Sequence, residues 1–411
     1  MLPDCQANFR FHNIGQGLFY NGEIRSLSLN FKFSFIYDCG SLGFLGFKPL
    51  LNKQIDKVVE KNEGQLDLLV ISHFDEDHIN GIDRLLKKVK VQTVVIPYVT
   101  PLERLLLTVK NTKPSNKYYS FLLDPIEYIM RNGNVEEIII IEGDKPFEED
   151  EEVNNTPPLN NNSQLVSISL SENSSLKKTI NIEEGKEYPE NVSYLNHDGN
   201  IFVRDYWRFR FFNSKAQKEN LNAFKDKLKE LGLDVSSNKK VLEIIGDYVN
   251  RTKVKKAYKL IEKDINLTSL LLYHGPIEMR RKCLRNVIIN SGLKGLFRVE
   301  NRSLFIDRSL GHGCLLLGDI NLNYKYNEFK THFNKSFPFI QTVLVPHHGS
   351  LLSWNNQILS DIQAPCWIVS YGSNNNFKHP ASNIAVEIRK EGRSFLKATE
   401  FSWVSHLYVS R

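Results

Sequence analysis

Long apolar runs are missing from this 411-residue chain. None approaches the roughly 20 residues that a membrane-spanning helix needs. The opening stretch, MLPDCQANFRFHNIG, lacks a basic segment followed by an apolar one, so no signal peptide is expected. Cysteine is scarce: Cys5, Cys39, Cys283, Cys314 and Cys366 are scattered, odd in number and without a C-x-x-C pair. That pattern argues against a disulfide framework and reads as reduced thiols in a cytosolic protein. A strong charge bias is also absent. The formal charge of +6, with a sequence pI near 8.8, permits a polyanionic partner without demanding one. The length suffices for one large core or two to three smaller ones.

What is present is concentrated in Leu66 to Leu86, LDLLVISHFDEDHINGIDRLL. The apolar run Leu68–Ile71 predicts a buried strand. His73, Asp75, Asp77 and His78 follow within six positions, and Ile82, Leu85 and Leu86 then give one face of a helix. Two carboxylates and two imidazoles packed this tightly call for a cation between them. The mixed oxygen and nitrogen donors suit zinc, manganese or iron better than calcium.

Other segments repeat the plan of a buried strand delivering polar side chains at its end. Gly313–Ile320 runs into Gly318-Asp319, and Val343–Ser350 reads VLVPHHGS, with His347 and His348. Trp367–Gly372 leads into Asn374-Asn375-Asn376-Phe377-Lys378-His379-Pro380. Near the start, strands are expected over residues 8–40, broken by Asn13-Ile14-Gly15-Gln16-Gly17 and ending in Tyr37-Asp38-Cys39-Gly40. Helices are expected over 49–62, Leu102–Val109, Tyr118–Met130, Lys215–Leu231, Val241–Ile265 and Ser382–Lys390. Further strands are expected at Val91–Tyr98, Val135–Glu142, Phe202–Phe212, Asn266–Tyr273 and, as an edge, Phe401–Val409. Asp144–Ser163 reads as a solvated acidic loop, and Glu278–Arg285 as a basic surface loop or short helix. The arginines and aromatics of Phe202–Phe212, and the lysines of Val241–Ile265, offer either a nucleic-acid rim or ordinary sheet and surface faces.

The H-x-D-x-D-H loop resembles the H-x-H-x-D-H signature of the metallo-β-lactamase fold superfamily, with Asp75 in place of the second His. NIGQG, YDCG, LLLGD, VPHHGS and the SYG…HP ending resemble motifs of its ComEC-type branch, competence proteins and their soluble relatives. The resemblance implies an α/β fold of αββα four-layer sandwich type over residues 1–411. It places a first half at 1–105, a helical insertion at 106–265 and a second half at 266–411. It implies one or two divalent ions, zinc or manganese. His73 and Asp75 hold the first, Asp77, His78 and His347 the second, and Asp319 bridges. NIGQG and YDCG are expected to line the site without ligating. Asp77, His379 and His348 are the candidate catalytic residues; His379 is either a ligand or the group that gives a proton to the leaving group, a role His348 could also fill. The helix starting near Ile79 is expected to turn its positive end towards an anionic substrate.

The implied activity is metal-dependent hydrolysis of a phosphodiester, with DNA or RNA as substrate and no membrane partner. The same fold also hosts hydrolases of small phosphodiesters, lipids and thioesters. A non-catalytic sensing or scaffold module is the remaining alternative, and soluble relatives occur in bacterial defence gene clusters. No counterpart is expected for the superfamily's additional His, since His197, His274 and His312 sit in no matching motif.

Overall fold

The structure, a computed structural model, describes residues 5–26, 28, 30–42, 48–110, 115–142, 166–169, 177–178, 188–195, 200–204, 206–260, 267–277, 283–292, 302–305 and 311–410. The acidic stretch Asp144–Ser163, His197 and residues 278–282 lie outside them.

The fold is mixed α/β, built on two large sheets. In the first, Cys5–Phe11, Gly17–Ser26 and Phe31–Ser41 form an antiparallel meander. It continues in parallel through Gln65–Val70, Lys90–Pro97 and Asn134–Ile141. In the second, Trp207–Ser214, Ser269–Pro276 and Gly313–Leu316 are antiparallel. Ile340–Leu344, Cys366–Ser370 and Ser394–Ala398 then add in parallel. One apolar cluster joins side chains of both sheets, Phe9, Phe35, Val70, Trp207, Leu272 and Leu316 among them. Two further clusters pack helices against each sheet's other face.

The strand before the metal loop is interior on both faces: Leu68, Leu69 and Val70 are buried. Each such side chain contributes about 1.5–3 kcal/mol on burial. That anchors the strand rigidly, and the loop that follows inherits its position.

Several expected elements differ in detail. The stretch 106–265 is threaded through the architecture, since it supplies Asn134–Ile141 to one sheet and Trp207–Ser214 to the other. Phe202–Phe212 is a hairpin, Asn200–Val203 paired with Trp207–Ser214. Its Tyr206 and Trp207 are buried, so they are closed to a nucleic acid. The helix expected over Tyr118–Met130 is two, Asn116–Leu123 and Pro125–Asn132. They meet at Asp124, which caps the second while Pro125 opens it. The basic helix is likewise divided into Asn238–Gly246 and Tyr248–Lys259, with Asp247 as the cap. Residues Cys283–Gly292 form a strand rather than a loop or helix. Ser402–Ser410 is no edge, because it pairs on both sides, with Cys5–Phe11 and Cys283–Gly292.

His274 lies between the sheets. Trp207 Nε1–H donates to its Nδ1 at 3.2 Å, so the neutral ring carries its proton on Nε2 and donates to Tyr20 Oη at 2.9 Å. Burial, with His406 adding to it, pushes His274 down to about 3. His12 and His406 are also pushed down by burial, to about 3. These folded values lie below the unfolded value near 6.5. The stability these three neutral rings contribute is therefore complete above pH ~6.5 and falls as pH drops from there towards 3. The urea midpoint is expected to be lower at pH 5 than at pH 7.5, with a smaller drop in His274→Gln. An equal drop in both proteins removes His274 from the account.

Candidate metal centre

The carboxyl ends of strands from both sheets meet at one place. Gln65–Val70 leads to Ser72 and His73, Gly313–Leu316 to Asp319, Ile340–Leu344 to His347 and His348, and Cys366–Ser370 to the loop of His379. The seam between the sheets is hydrogen-bonded. Leu270 N–H donates to Ser72 O at 2.6 Å across it, and within the second sheet Asp319 N–H donates to Ser269 Oγ at 3.0 Å. His347 N–H donates to Gly318 O at 2.9 Å.

The helix expected from near Ile79 is two short turns, Glu76–Ile79 and Ile82–Leu86, and Asp77 and His78 lie inside the first. This turn presses on the first two motifs. A Cβ on Gly17 would lie 2.4 Å from Asp77 O, and one on Gly40 would lie 2.5 Å from the same atom. NIGQG and YDCG need glycine there so that the loop can close on them.

Asp38, from YDCG, is completely buried. Ser72 N–H donates to its Oδ1 at 2.6 Å. Its Oδ2 accepts from Ser72 Oγ–H at 2.5 Å and from His78 Nδ1–H at 2.8 Å. Since the Ser72 hydroxyl spends its one proton on Asp38, it accepts from His73 Nδ1–H at 2.7 Å. His348 Nδ1–H donates to Ser370 O at 2.8 Å, and His347 Nδ1 meets Ser353 Oγ at 3.0 Å. All four imidazoles are thus held through Nδ1 and turn Nε2 inward.

The inward atoms fall into two groups around Asp319. Its Oδ2 stands 3.5 Å from His73 Nε2 and 3.5 Å from His347 Nε2. Its Oδ1 stands 3.7 Å from His78 Nε2. Asp75 Oδ2 lies 3.9 Å from His73 Nε2. On the other side His348 Nε2 is 3.1 Å from Asp77 Oδ2 and 3.3 Å from His78 Nε2. Ligand atoms within 4.8 Å of one another form the sets His73, Asp75, Asp319 and Asp77, His78, His348. The pairing expected from sequence therefore shifts. His348 stands with Asp77 and His78, whereas His347 shares an Asp319 oxygen with His73. A third compact set, Asp38, His73 and His78, has the Asp38 oxygens already engaged by Ser72 and His78, so Asp38 positions the imidazoles.

His379 is half-buried at the edge, its ring 5.9 Å from that of His347. The structure does not place it among the inward nitrogens of either set. Lys110, at the end of helix Pro101–Lys110, brings its Nζ to 3.9 Å from Asp75 Oδ2. Sequence reading missed Lys110, because nothing in its local pattern separates it from any lysine closing a helix.

The electrostatics follow from burial and crowding. Burial, then His78, pushes His73 down to about 3, so the ring is neutral. Burial opposes a charged His78, but Asp38 and Asp77 outweigh it and lift the ring to about 10. Asp77 is held below the usual carboxylate range, burial being overcome by His78 and His348, and Asp319 is also held low, burial being overcome by the imidazoles around it. Burial raises Asp75. Burial, then His347, pushes His379 down to about 4.

These residues fit a divalent cation. His73 Nε2 and Asp75 Oδ1 are buried without a hydrogen-bond partner, and such atoms are costly unless something binds them. Separations of 3.5–3.9 Å are too long for hydrogen bonds. Two donors each bonded to one tetrahedral ion at about 2.0–2.2 Å stand roughly 3.4 Å apart. Imidazole with carboxylate suits zinc or manganese.

Comparison of the sequence with protein-family models and with curated proteins gives no match. No helix among the described residues is long and apolar enough to cross a membrane.

Calorimetric titration with Mn²⁺ or Zn²⁺ is expected to show one or two sites per chain, lost in Asp319→Ala. At a hundredfold excess over Kd the ion should stabilise the fold by about 2.7 kcal/mol. Asp38→Asn, which disturbs only what holds His78 and Ser72, should weaken metal affinity about 10- to 100-fold. Unchanged affinity in both variants would sink the assignment.

Proposed function

We propose that this protein is a metal-dependent phosphodiesterase of metallo-β-lactamase type, acting on nucleic acid. The observation that carries the reading is the convergence of four imidazoles, each fixed through Nδ1, with Asp75, Asp77 and Asp319 in one buried place. Two sheets face to face, with helices packed on each outer side, are compatible with the four-layer sandwich that the motifs imply.

His73, Asp75, Asp319 and His347 would hold one cation, and Asp77, His78 and His348 a second, with Asp319 offering one oxygen to each. Zinc or manganese bound there supplies Lewis acidity, making water nucleophilic near neutral pH and offsetting charge on the phosphoryl oxygens. Asp38 and Ser72 keep His73 and His78 oriented, so no reorganisation is spent on assembling the donors. His348 is engaged with Asp77, which leaves His379, a neutral ring outside both donor sets, to hydrogen-bond the leaving oxygen through its N–H. Lys110 adds positive charge beside Asp75, and its helix packs against Tyr248–Lys259, which carries Arg251, Lys253, Lys255, Lys256 and Lys259. That charge supports a polyanionic substrate over a neutral ester.

Purified protein with Mn²⁺ is expected to cleave labelled DNA or RNA, and Asp77→Ala to fall to the rate seen with chelator. Single strands, duplexes and cyclic dinucleotides assayed side by side identify the substrate. Clean turnover of a lipid or thioester with no cleavage of any phosphodiester would replace this reading.

A further inference from the structure

The loop between Ser370 and Pro380 carries an exposed ring that nothing in the fold requires. Phe377 is 61 % exposed. A side chain of this size on the surface forgoes the gain it would make by burial. Its ring lies nearly parallel to that of His379, at 16° and 5.8 Å, and His379 lies 5.9 Å from the ring of His347. Two ring-to-ring steps therefore connect Phe377 to the candidate metal centre.

The loop is braced from within. Asn375 Nδ2–H₂ donates to Gly372 O at 2.7 Å and to His379 O at 2.6 Å, and its Oδ1 accepts from His379 N–H at 3.0 Å. Ser373 N–H donates to Glu400 Oε2 at 3.0 Å. The Phe377 ring is thus presented on a pinned loop.

Resting on the nucleic-acid reading above, we propose that Phe377 is a stacking platform for an unpaired base of the strand whose phosphodiester lies at the metal centre. The substrate class is then single-stranded nucleic acid, because a base held in a duplex keeps both faces covered. The ring's neighbours favour a base over a lipid chain. Asn374, Asn376 and Lys378 are exposed around it, giving hydrogen-bond groups suited to a base edge and to phosphate. An acyl chain needs a continuous apolar surface instead. Aromatic stacking tolerates any base, so the preference is for strandedness and not for sequence.

The test measures binding by fluorescence anisotropy in the presence of Mn²⁺, using a short dT oligonucleotide with phosphorothioate linkages and its abasic counterpart. Wild-type protein should prefer the dT strand by about 5- to 150-fold, the equivalent of about 1–3 kcal/mol per stacked base. Phe377→Ala should erase that preference, and Phe377→Trp should keep it. A preference that survives in Phe377→Ala overturns the proposal. So does loss, in the same variant, of binding to phosphatidylglycerol vesicles with oligonucleotide binding unchanged. Turnover of methyl p-nitrophenyl phosphate by the wild-type protein is followed in parallel as the readout of phosphodiester hydrolysis. If that diester and every oligonucleotide resist hydrolysis, the phosphodiesterase reading fails, while the anisotropy comparison still decides the stacking.

Discussion

A carboxylate with no access to water organises the site. Asp38 accepts from the Ser72 backbone, the Ser72 hydroxyl and His78 Nδ1. Burial pushes its pKa up, and the His78 charge and the Ser72 hydrogen bonds oppose that push. A buried charge is tolerated only when such partners surround it, and removing one partner typically costs about 3–5 kcal/mol. Through Ser72 the constraint passes to His73, and through the Ser72 carbonyl it passes to Leu270 in the second sheet. Tyr37, the neighbour of Asp38, donates its hydroxyl to Leu270 O at 2.8 Å. One strand end of the first sheet thus sets both the imidazole orientations and the seam along which Asp319 arrives.

The parts of this arrangement legible in the sequence are those written locally. His73, Asp75, Asp77 and His78 share one loop after an apolar run. Gly-Asp at 318–319 and His-His at 347–348 likewise end apolar runs, and the motif resemblance singled them out. The grouping of the donors was not legible. His347 and His348 both adopt left-handed backbone conformations, φ 48° and 53°, which are uncommon for any residue but glycine. That turn sends His348 towards Asp77 and leaves His347 beside Asp319. YDCG signalled Asp38, but the partners of a fully buried carboxylate follow from tertiary packing. The hairpin at residues 200–214, the divided helices and the interior position of Ser402–Ser410 were missed for a related reason. Alternation marks a strand, whereas its neighbours in a sheet are fixed by distant segments.

Order in the site is distributed unequally. The imidazoles are held twice over, by neighbouring side chains and by strand ends anchored in apolar clusters. Asp75 is held less firmly, with one oxygen unpartnered and a lysine 3.9 Å from the other. It is also the position at which the sequence departs from the H-x-H-x-D-H pattern. A carboxylate there brings negative charge where an imidazole brings none, and Lys110 stands where it can balance that charge. The substitution and the lysine make one physical unit.

The two donor sets cannot behave independently. Asp319 stands in the first set with its Oδ1 3.7 Å from His78 Nε2 of the second, and His78 Nε2 lies 3.3 Å from His348 Nε2. Two imidazole nitrogens at 3.3 Å require a proton or a cation between them or beside them, and Asp38 and Asp77 favour the protonated His78 ring. Displacing that proton is part of loading the second position, so ion uptake there is coupled to proton release. Charge placed at one set lowers the electrostatic benefit of charge at the other, while Asp319 draws both towards a common centre. On the proposed reading, the arrangement favours filling in sequence, beginning with the set that contains the unpartnered His73 and Asp75 atoms.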